Sequence, residues 1–386
     1  MWELLLLLLP VAAACGWYAA YKHYSVRDED VEDRFTRDYL VGLNYLINEQ
    51  PDKAVDVFIK MLEVNSDTVE THLALGSLFR RRGEVDRATR IHQNLIARPQ
   101  LTKEQRLHAL FELGEDYLRA GMLDRAERVF LEIIELDGET TTSFNRLLHI
   151  YQQQKDWRQA IAIADKIRIH ENVNIPVAYY YCELAEAARA AGEVDKTRDF
   201  LKLALAEDKT CVRANILLGR LNADVGAYQD AIDAYQKAIE QDPDYISEVL
   251  SQLRECYRRL DQDGEFMQYL YRCLALHPRI SIVLILSNYI RSQKGDVAAI
   301  EFITEHIYRC LSLRGVAYLV DIYLDNVDLK TKSKLLLLKE FIAKLLHSKP
   351  VYRCVHCGFA GKQLYWQCPS CKRWGAIKPI HGMEGD

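Results

Sequence analysis

A phrase of small, aromatic, turn-forming and again small residues recurs along this chain. A small residue is followed three positions later by an aromatic, seven later by Gly or a polar turn residue, and twelve later by Ala. It reads Gly42, Tyr45, Glu49 and Ala54, then Gly76, Phe79, Gly83 and Ala88, then Gly114, Tyr117, Gly121 and Ala126. Leu148, Tyr151, Lys155 and Ala160 keep the register, as do Ala185, Ala188, Gly192 and Thr197, and Gly219, Asn222, Gly226 and Ala231. The phrase predicts a helical hairpin. The small residue lets the second helix approach, the aromatic fills the space between, and the Ala at plus twelve keeps the pair close. Gly83, Gly121, Gly192 and Gly226 suit the left-handed conformation that ends a helix. Asp86, Asp124 and Asp195 then fall in the first turns of the second helices, where negative charge is favoured.

The copies start at 42, 76, 114, 148, 185 and 219, steps of 34, 38, 34, 37 and 34 residues, which is the period of the tetratricopeptide repeat. One hairpin is too small to bury its own apolar face, so neighbours must stack into a solenoid. Beyond residue 240 the phrase erodes: Arg254, Tyr257, Asp261 and Phe266, then Asn288, Arg291, Gly295 and Ile300, continue at 35 and 34 residues. The expectation is six clear and two divergent repeats over residues 22–346, with a last hairpin near Ala317–Leu346 as a cap and Pro350 as a boundary.

A different pattern opens the chain. From Leu4 to Ala20 the residues are almost continuously apolar, with no charge after Glu3 and with Lys22, His23 and Arg27 following. Seventeen such residues are just long enough to span a bilayer. The trailing positive charges predict an anchor over residues 1–21 with the rest of the chain facing the cytoplasm. Ala12-Ala13-Ala14-Cys15 has the form of a lipoprotein processing site, and the run could be a cleaved signal. The missing positive segment ahead of it argues against both.

The other end carries the most specific chemistry. Cys354-x2-Cys357 and Cys368-x2-Cys371 are two clasps whose sulfurs can each turn to one point, the donor set of a closed tetrahedral metal site. Two disulfides or four buried thiols are the alternative. Iron and zinc both accept four thiolates, and the sequence leaves the metal open. Trp366 and Trp374 are expected to shield the sulfurs, and His356 and His381 are not needed as ligands. The other six cysteines, Cys15, Cys182, Cys211, Cys256, Cys273 and Cys310, show no framework spacing and read as small buried hydrophobes in a reducing compartment.

At 386 residues, 49% hydrophobic and 27% charged, the composition is that of a globular protein. The net charge of -5 is uneven: Lys344, Lys349, Arg353, Lys362, Lys372, Arg373 and Lys378 face no acid between Glu340 and Glu384. Setting aside those seven charges and the two final acids leaves residues 1–343 at -10. A basic end carrying Tyr352, Phe359, Tyr365, Trp366 and Trp374 also suits nucleic acid, and four thiolates holding iron suit a redox carrier. Anionic lipid explains the same charge more simply beside a membrane.

No phosphate loop, dinucleotide loop, zincin or nucleophile-elbow motif occurs, so no catalytic residues are predicted. His72, His92, His108, His149 and His170 are expected on helix surfaces or half-buried, Arg80-Arg81-Arg82 as a solvated helix end, and Tyr179-Tyr180-Tyr181 partly in the core.

An apolar start, the repeats, and a terminal segment reading Tyr352-Arg-Cys-Val-His-Cys-Gly-Phe and Tyr365-Trp-Gln-Cys-Pro-Ser-Cys-Lys-Arg-Trp together resemble the lipopolysaccharide assembly protein B family of Gram-negative bacteria. The resemblance runs from Leu9-Pro-Val-Ala-Ala-Ala through Leu78-Phe-Arg-Arg-Arg-Gly-Glu-Val-Asp-Arg-Ala to Ile377-Lys-Pro-Ile. It implies a rubredoxin-like, zinc-ribbon module over residues 347–386 with Cys354, Cys357, Cys368 and Cys371 as metal ligands and Gly358 and Pro369 as turn residues. The ten residues between the clasps are far fewer than in rubredoxin, which weakens the electron-transfer reading. The resemblance further implies a non-enzymatic adaptor at the bacterial inner membrane. Its implied partners are the membrane AAA protease FtsH, the deacetylase of the lipid A pathway, whose degradation it promotes, and other lipopolysaccharide assembly proteins. Homodimerisation stays open, and nucleic acid is not an implied partner.

Overall fold

The computed structural model describes residues 69–386, apart from residues 100, 138–140, 169–173, 311, 326, 384 and 386, and isolated residues between 14 and 57. The predicted anchor lies outside the described residues except for Ala14, Gly16, Trp17 and Tyr18, as do Glu49 and Ala54 of the first repeat. No helix among the described residues is long and apolar enough to cross a membrane.

From Val69 the helices follow one another along the chain: α1 (Val69–Arg81), α2 (Val85–Ile96), α3 (Lys103–Arg119), α4 (Leu123–Asp137), α5 (Thr141–Gln154), α6 (Trp157–Ile167), α7 (Asn174–Ala190) and α8 (Val194–Glu207). Then come α9 (Val212–Asp224) and α10 (Tyr228–Gln241), a 3-10 turn at Pro243–Tyr245, α11 (Ile246–Arg259) and α12 (Asp263–Leu276), α13 (Ile280–Lys294) and α14 (Asp296–Cys310), and α15 (Leu313–Leu324) and α16 (Leu329–Ser348). The described chain is a helical repeat array closed by a small module. It divides into two compact units, Met1–Gln154 and Lys155–Asp386.

The turn position behaves as the phrase requires, beyond the glycines. Gly83, Gly121, Gly192, Gly226 and Gly295 have φ between 73 and 85°, and Lys155 (58°) and Asp261 (56°) take the same left-handed conformation without being glycine. The next residue's N–H closes the turn onto the carbonyl of the plus-three residue, as in Glu84 to Phe79, Met122 to Tyr117, Glu193 to Ala188, Ala227 to Asn222 and Gln262 to Tyr257. This is the bond pattern of a Schellman cap.

The close approach has a cause that the phrase does not contain. A Cβ on Gly76, Gly114 or Gly219 would lie 2.2 Å from His92, 2.6 Å from Phe130 or 2.5 Å from Tyr235. Each of these rings stands sixteen residues after its glycine and brings its outer ring atoms against it. Ala88, Ala126, Ala160 and Ala231 are fully buried, as the phrase predicts, and Thr197 nearly so. The last divergent repeat differs. Asn288 is exposed and Ile300 half-buried, while Ser287 and Ala299 are fully buried, so the contact pair sits one residue earlier than predicted.

In the first unit two expectations fail. His72 and His92 are buried rather than on a helix surface or half-buried, and His92 Nδ1 lies 2.5 Å from Asp116 Oδ2. Arg80 is not a solvated helix end: it pairs with Glu112 at 2.6 Å and Asp116 at 2.8 Å, and Ser77 donates to Glu112. Burying Asp116 on α3 requires cationic or donor partners, and α1 and α2 supply them. Arg81 and Arg82 remain exposed.

Candidate metal centre

The module begins where α16 ends, at Pro350. Strands β1 (Tyr352–Cys354), β2 (Ala360–Gly361) and β3 (Ile377–Pro379) form an antiparallel sheet in the order β2-β1-β3, with Arg353 opposite Ala360 and Cys354 opposite Ile377. Each clasp is a tight turn closed at both ends. In the first, Cys354 N–H donates to Phe359 O and Gly358 N–H to Cys354 O; in the second, Cys368 N–H donates to Arg373 O and Lys372 N–H to Cys368 O. The fourth residue after the leading cysteine is left-handed in both, Gly358 at 77° and Lys372 at 59°. Gly358 is thus a turn residue as the resemblance implied, and in the second clasp Lys372 takes that place beside Pro369. The backbone N–H groups of Phe359 and Arg373 point at Cys357 and Cys371, and the Phe359 amide leads the neighbouring thiols in holding the Cys357 thiol down to about 6.

The two turns bring all four sulfurs within 4.8 Å of one another. Cys354 and Cys371 are 3.7 Å apart and Cys357 and Cys368 3.6 Å. A tetrahedron of sulfurs at about 2.3 Å from a metal has edges of about 3.8 Å, whereas a disulfide is about 2.05 Å. The donor set therefore fits a closed four-sulfur metal site and excludes the disulfide alternative. Cys354 and Cys368 are buried against Tyr352, Phe359 and Leu364, while Cys357 is exposed.

Trp366 and Trp374 have another role than shielding sulfur. Trp374 stacks on Tyr179 at 5.2 Å between ring centroids and meets Tyr180 and Trp157 edge-on at 5.8 Å. Trp366 stacks on Tyr245 at 5.2 Å with the Arg213 guanidinium 5.6 Å from its ring. Arg213 is 2% exposed and paired with Glu183 and Glu186. Gly375 makes the approach possible, since a Cβ there would lie 2.2 Å from the Tyr179 hydroxyl oxygen. Polar contacts ring the aromatic seat: Tyr245 donates to Ile377 O at 2.9 Å, Tyr352 to Glu248 at 2.8 Å, and Lys378 lies 2.9 Å from Asp242 and 3.0 Å from Asp244. His381 contacts Asp244 at 3.1 Å and His356 is exposed, so neither turns to the sulfurs. Tyr179 and Tyr180 are buried as the floor of this seat. Its signal in the sequence was the pair of tryptophans flanking the second clasp, which only need a surface once the clasp itself supplies the ligands.

Of the remaining cysteines, Cys182 and Cys211 are buried with their sulfurs 4.0 Å apart, and Cys256 and Cys273 are buried singly.

Residues 352–379 match the model of the rubredoxin metal binding domain, and residues 71–104 and 182–246 match tetratricopeptide-repeat models. Among solved structures, a crystal structure of MamA aligns with 47% of this chain and 96% of its own at 18% identity and a TM-score of 0.33. The sequence relatives carry more. The chain is 40% identical over 388 residues to lipopolysaccharide assembly protein B of Escherichia coli (strain K12), covering 100% of both chains. It is 37% identical over 399 residues to the protein of that name from Haemophilus influenzae, again over 100% of both. A repeat array ending in a docked four-cysteine module, similar to these relatives from end to end, places the chain in the lipopolysaccharide assembly protein B family.

Proposed function

We propose that this chain is a non-catalytic adaptor that regulates lipopolysaccharide synthesis from the cytoplasmic face of the inner membrane. In this reading residues 1–21 are the anchor. The repeats over 22–346 hold the lipid A pathway deacetylase and other assembly proteins near the membrane protease FtsH, and residues 347–386 carry one iron or zinc ion on Cys354, Cys357, Cys368 and Cys371. The observation that carries it is the seat of the module. Trp366 and Trp374 tie the four-sulfur site to α7, α9 and the 3-10 turn at Pro243–Tyr245, so metal occupancy and the shape of the repeat surface are one mechanical system. When bound, the metal supplies the cross-link that a module of this size needs to stay folded. The protein's own residues then present the docked surface to a partner.

The same seat disfavours nucleic acid. Trp366, Trp374 and Tyr352 face the repeats, and Lys378 is neutralised by two aspartates, which removes the stacking platforms and part of the charge that single strands require. Colour separates the redox alternative, since a ferric tetrathiolate is red and bleaches on reduction while zinc leaves the protein colourless.

The test is Cys354→Ser and Cys371→Ser. Metal content should fall from one ion per chain to none, the repeats should stay helical, and deacetylase should accumulate in cells. Full metal loss with normal deacetylase turnover would leave the site real and remove its regulatory role.

A further inference from the structure

The last helix of the array buries its neighbour-facing side and leaves the other bare. On α16, Ile342 is buried and Leu335 and Leu346 are half-buried. Leu337, Leu338, Phe341 and Leu345 are each 46–58% exposed, and Leu336, 49% exposed, stands apart from them toward the opposite side of the helix. Successive helix residues turn by about 100°, so these four share one arc of about 100°. Four large apolar side chains on one bare helical arc are far from the scattered exposure that surfaces tolerate.

Charge narrows what covers this arc. Residues 329–348 hold Lys330, Lys332, Lys334, Lys339 and Lys344 against one acid, Glu340. Lys339 is held inward by Asp321 at 2.5 Å, and Lys344 pairs with Glu340 along the helix. Lys334 and Lys344 are exposed and fall on or beside the apolar arc. A second copy would set lysines against lysines. A basic helix that leaves an apolar arc bare can lie in the interface of an anionic bilayer, its leucines and phenylalanine among the upper acyl chains and its lysines reaching the headgroups. Each lysine near such a surface adds to the attraction.

We propose that the outer face of α16, centred on Leu337, Leu338, Phe341 and Leu345, is a membrane-surface contact that takes anionic phospholipid. It extends the anchored reading by fixing a second point of the chain on the bilayer, and its test does not depend on the anchor.

The full chain is mixed with phosphatidylcholine vesicles, with or without about a third phosphatidylglycerol, containing brominated lipid as a quencher. In Phe341→Trp the new tryptophan should be quenched on the anionic vesicles, at least twofold more than in Ala343→Trp, whose side chain lies on the opposite side of the helix. Adding Lys334→Glu and Lys344→Glu should abolish the difference. Equal quenching of the two tryptophans, or quenching indifferent to lipid charge, would overturn the inference. So would a Phe341→Asp variant that turns a lipid-free dimer into a monomer, which assigns the face to a second copy. Vesicle flotation separates the two readings. A chain that floats on neutral vesicles without quenching retains its anchor and lacks this contact, while one that floats only on anionic vesicles in a Phe341-dependent way has the contact without the anchor.

Discussion

At Gly114 the packing tolerance is a single hydrogen atom. A Cβ would meet the Phe130 ring at 2.6 Å, and Phe130 is fully buried, so the ring cannot swing into solvent. Gly114→Leu should cost about 1–3 kcal/mol as an overpacked core, read as a fall in the urea midpoint of unfolding. Pairing it with Phe130→Ala should recover part of that loss, because the two changes share one space. Simple additivity of the two losses would contradict the contact. The same logic was legible along the sequence. Gly42, Gly76, Gly114 and Gly219 are followed sixteen residues later by Phe58, His92, Phe130 and Tyr235, whereas Leu148 and Ala185 are followed by Ala164 and Leu201. Ring and glycine come together because their volumes must sum to one gap. Burial of His92 beside Asp116 was not legible, since it depends on a carboxylate twenty-four residues away on the next hairpin.

Among the elements, the module is held by two stacked tryptophans and one shared carboxylate. Each aromatic pair contributes about 0.5–1.5 kcal/mol beyond its buried area, so Trp374→Ala, which removes three ring contacts, should free the module without disturbing the four sulfurs. Protease cleavage near Pro350 should accelerate at least severalfold while metal content stays unchanged; unaltered cleavage would show that the seat is dispensable. Asp244 adds a pH dependence. Burial opposes its ionisation, but Lys378, His381 and Arg279 outweigh that and hold the carboxyl below the usual aspartate range. A depressed folded value means that the contribution to docking is complete above the ordinary aspartate pKa and is lost as pH falls through the lower one. Acid should therefore undock the wild-type module, followed by tryptophan emission. Asp244→Asn should be more weakly docked already at neutral pH, and an identical acid profile in both proteins would remove Asp244 from the account.

For the molecule as a whole, the amino-terminal pattern bears on where the chain is held. The run from Leu4 to Ala20 and the positive residues after it predict that protease added to intact spheroplasts spares everything beyond residue 30. Digestion there would reverse the orientation. Removing residues 1–21 should yield a soluble array and, under the proposed adaptor function, impaired regulation, because tethering raises the effective concentration at which two membrane-held proteins meet.

Local chemistry is what the chain could state about itself. The repeat period, the left-handed turn positions and the two cysteine clasps each show in residues close together along the chain, so spacing makes them legible, even where Lys155 and Asp261 replace glycine at the turn. The tertiary structure decided what lies between hairpins. It turned Trp366 and Trp374 from the sulfurs to Tyr245 and Tyr179, drew Arg80 onto α3, moved the last contact pair to Ser287 and Ala299, and left one face of α16 bare. Those outcomes depend on which distant surface each side chain meets. A side chain's own type sets the energy it can contribute, and only the fold sets the neighbour with which it contributes it.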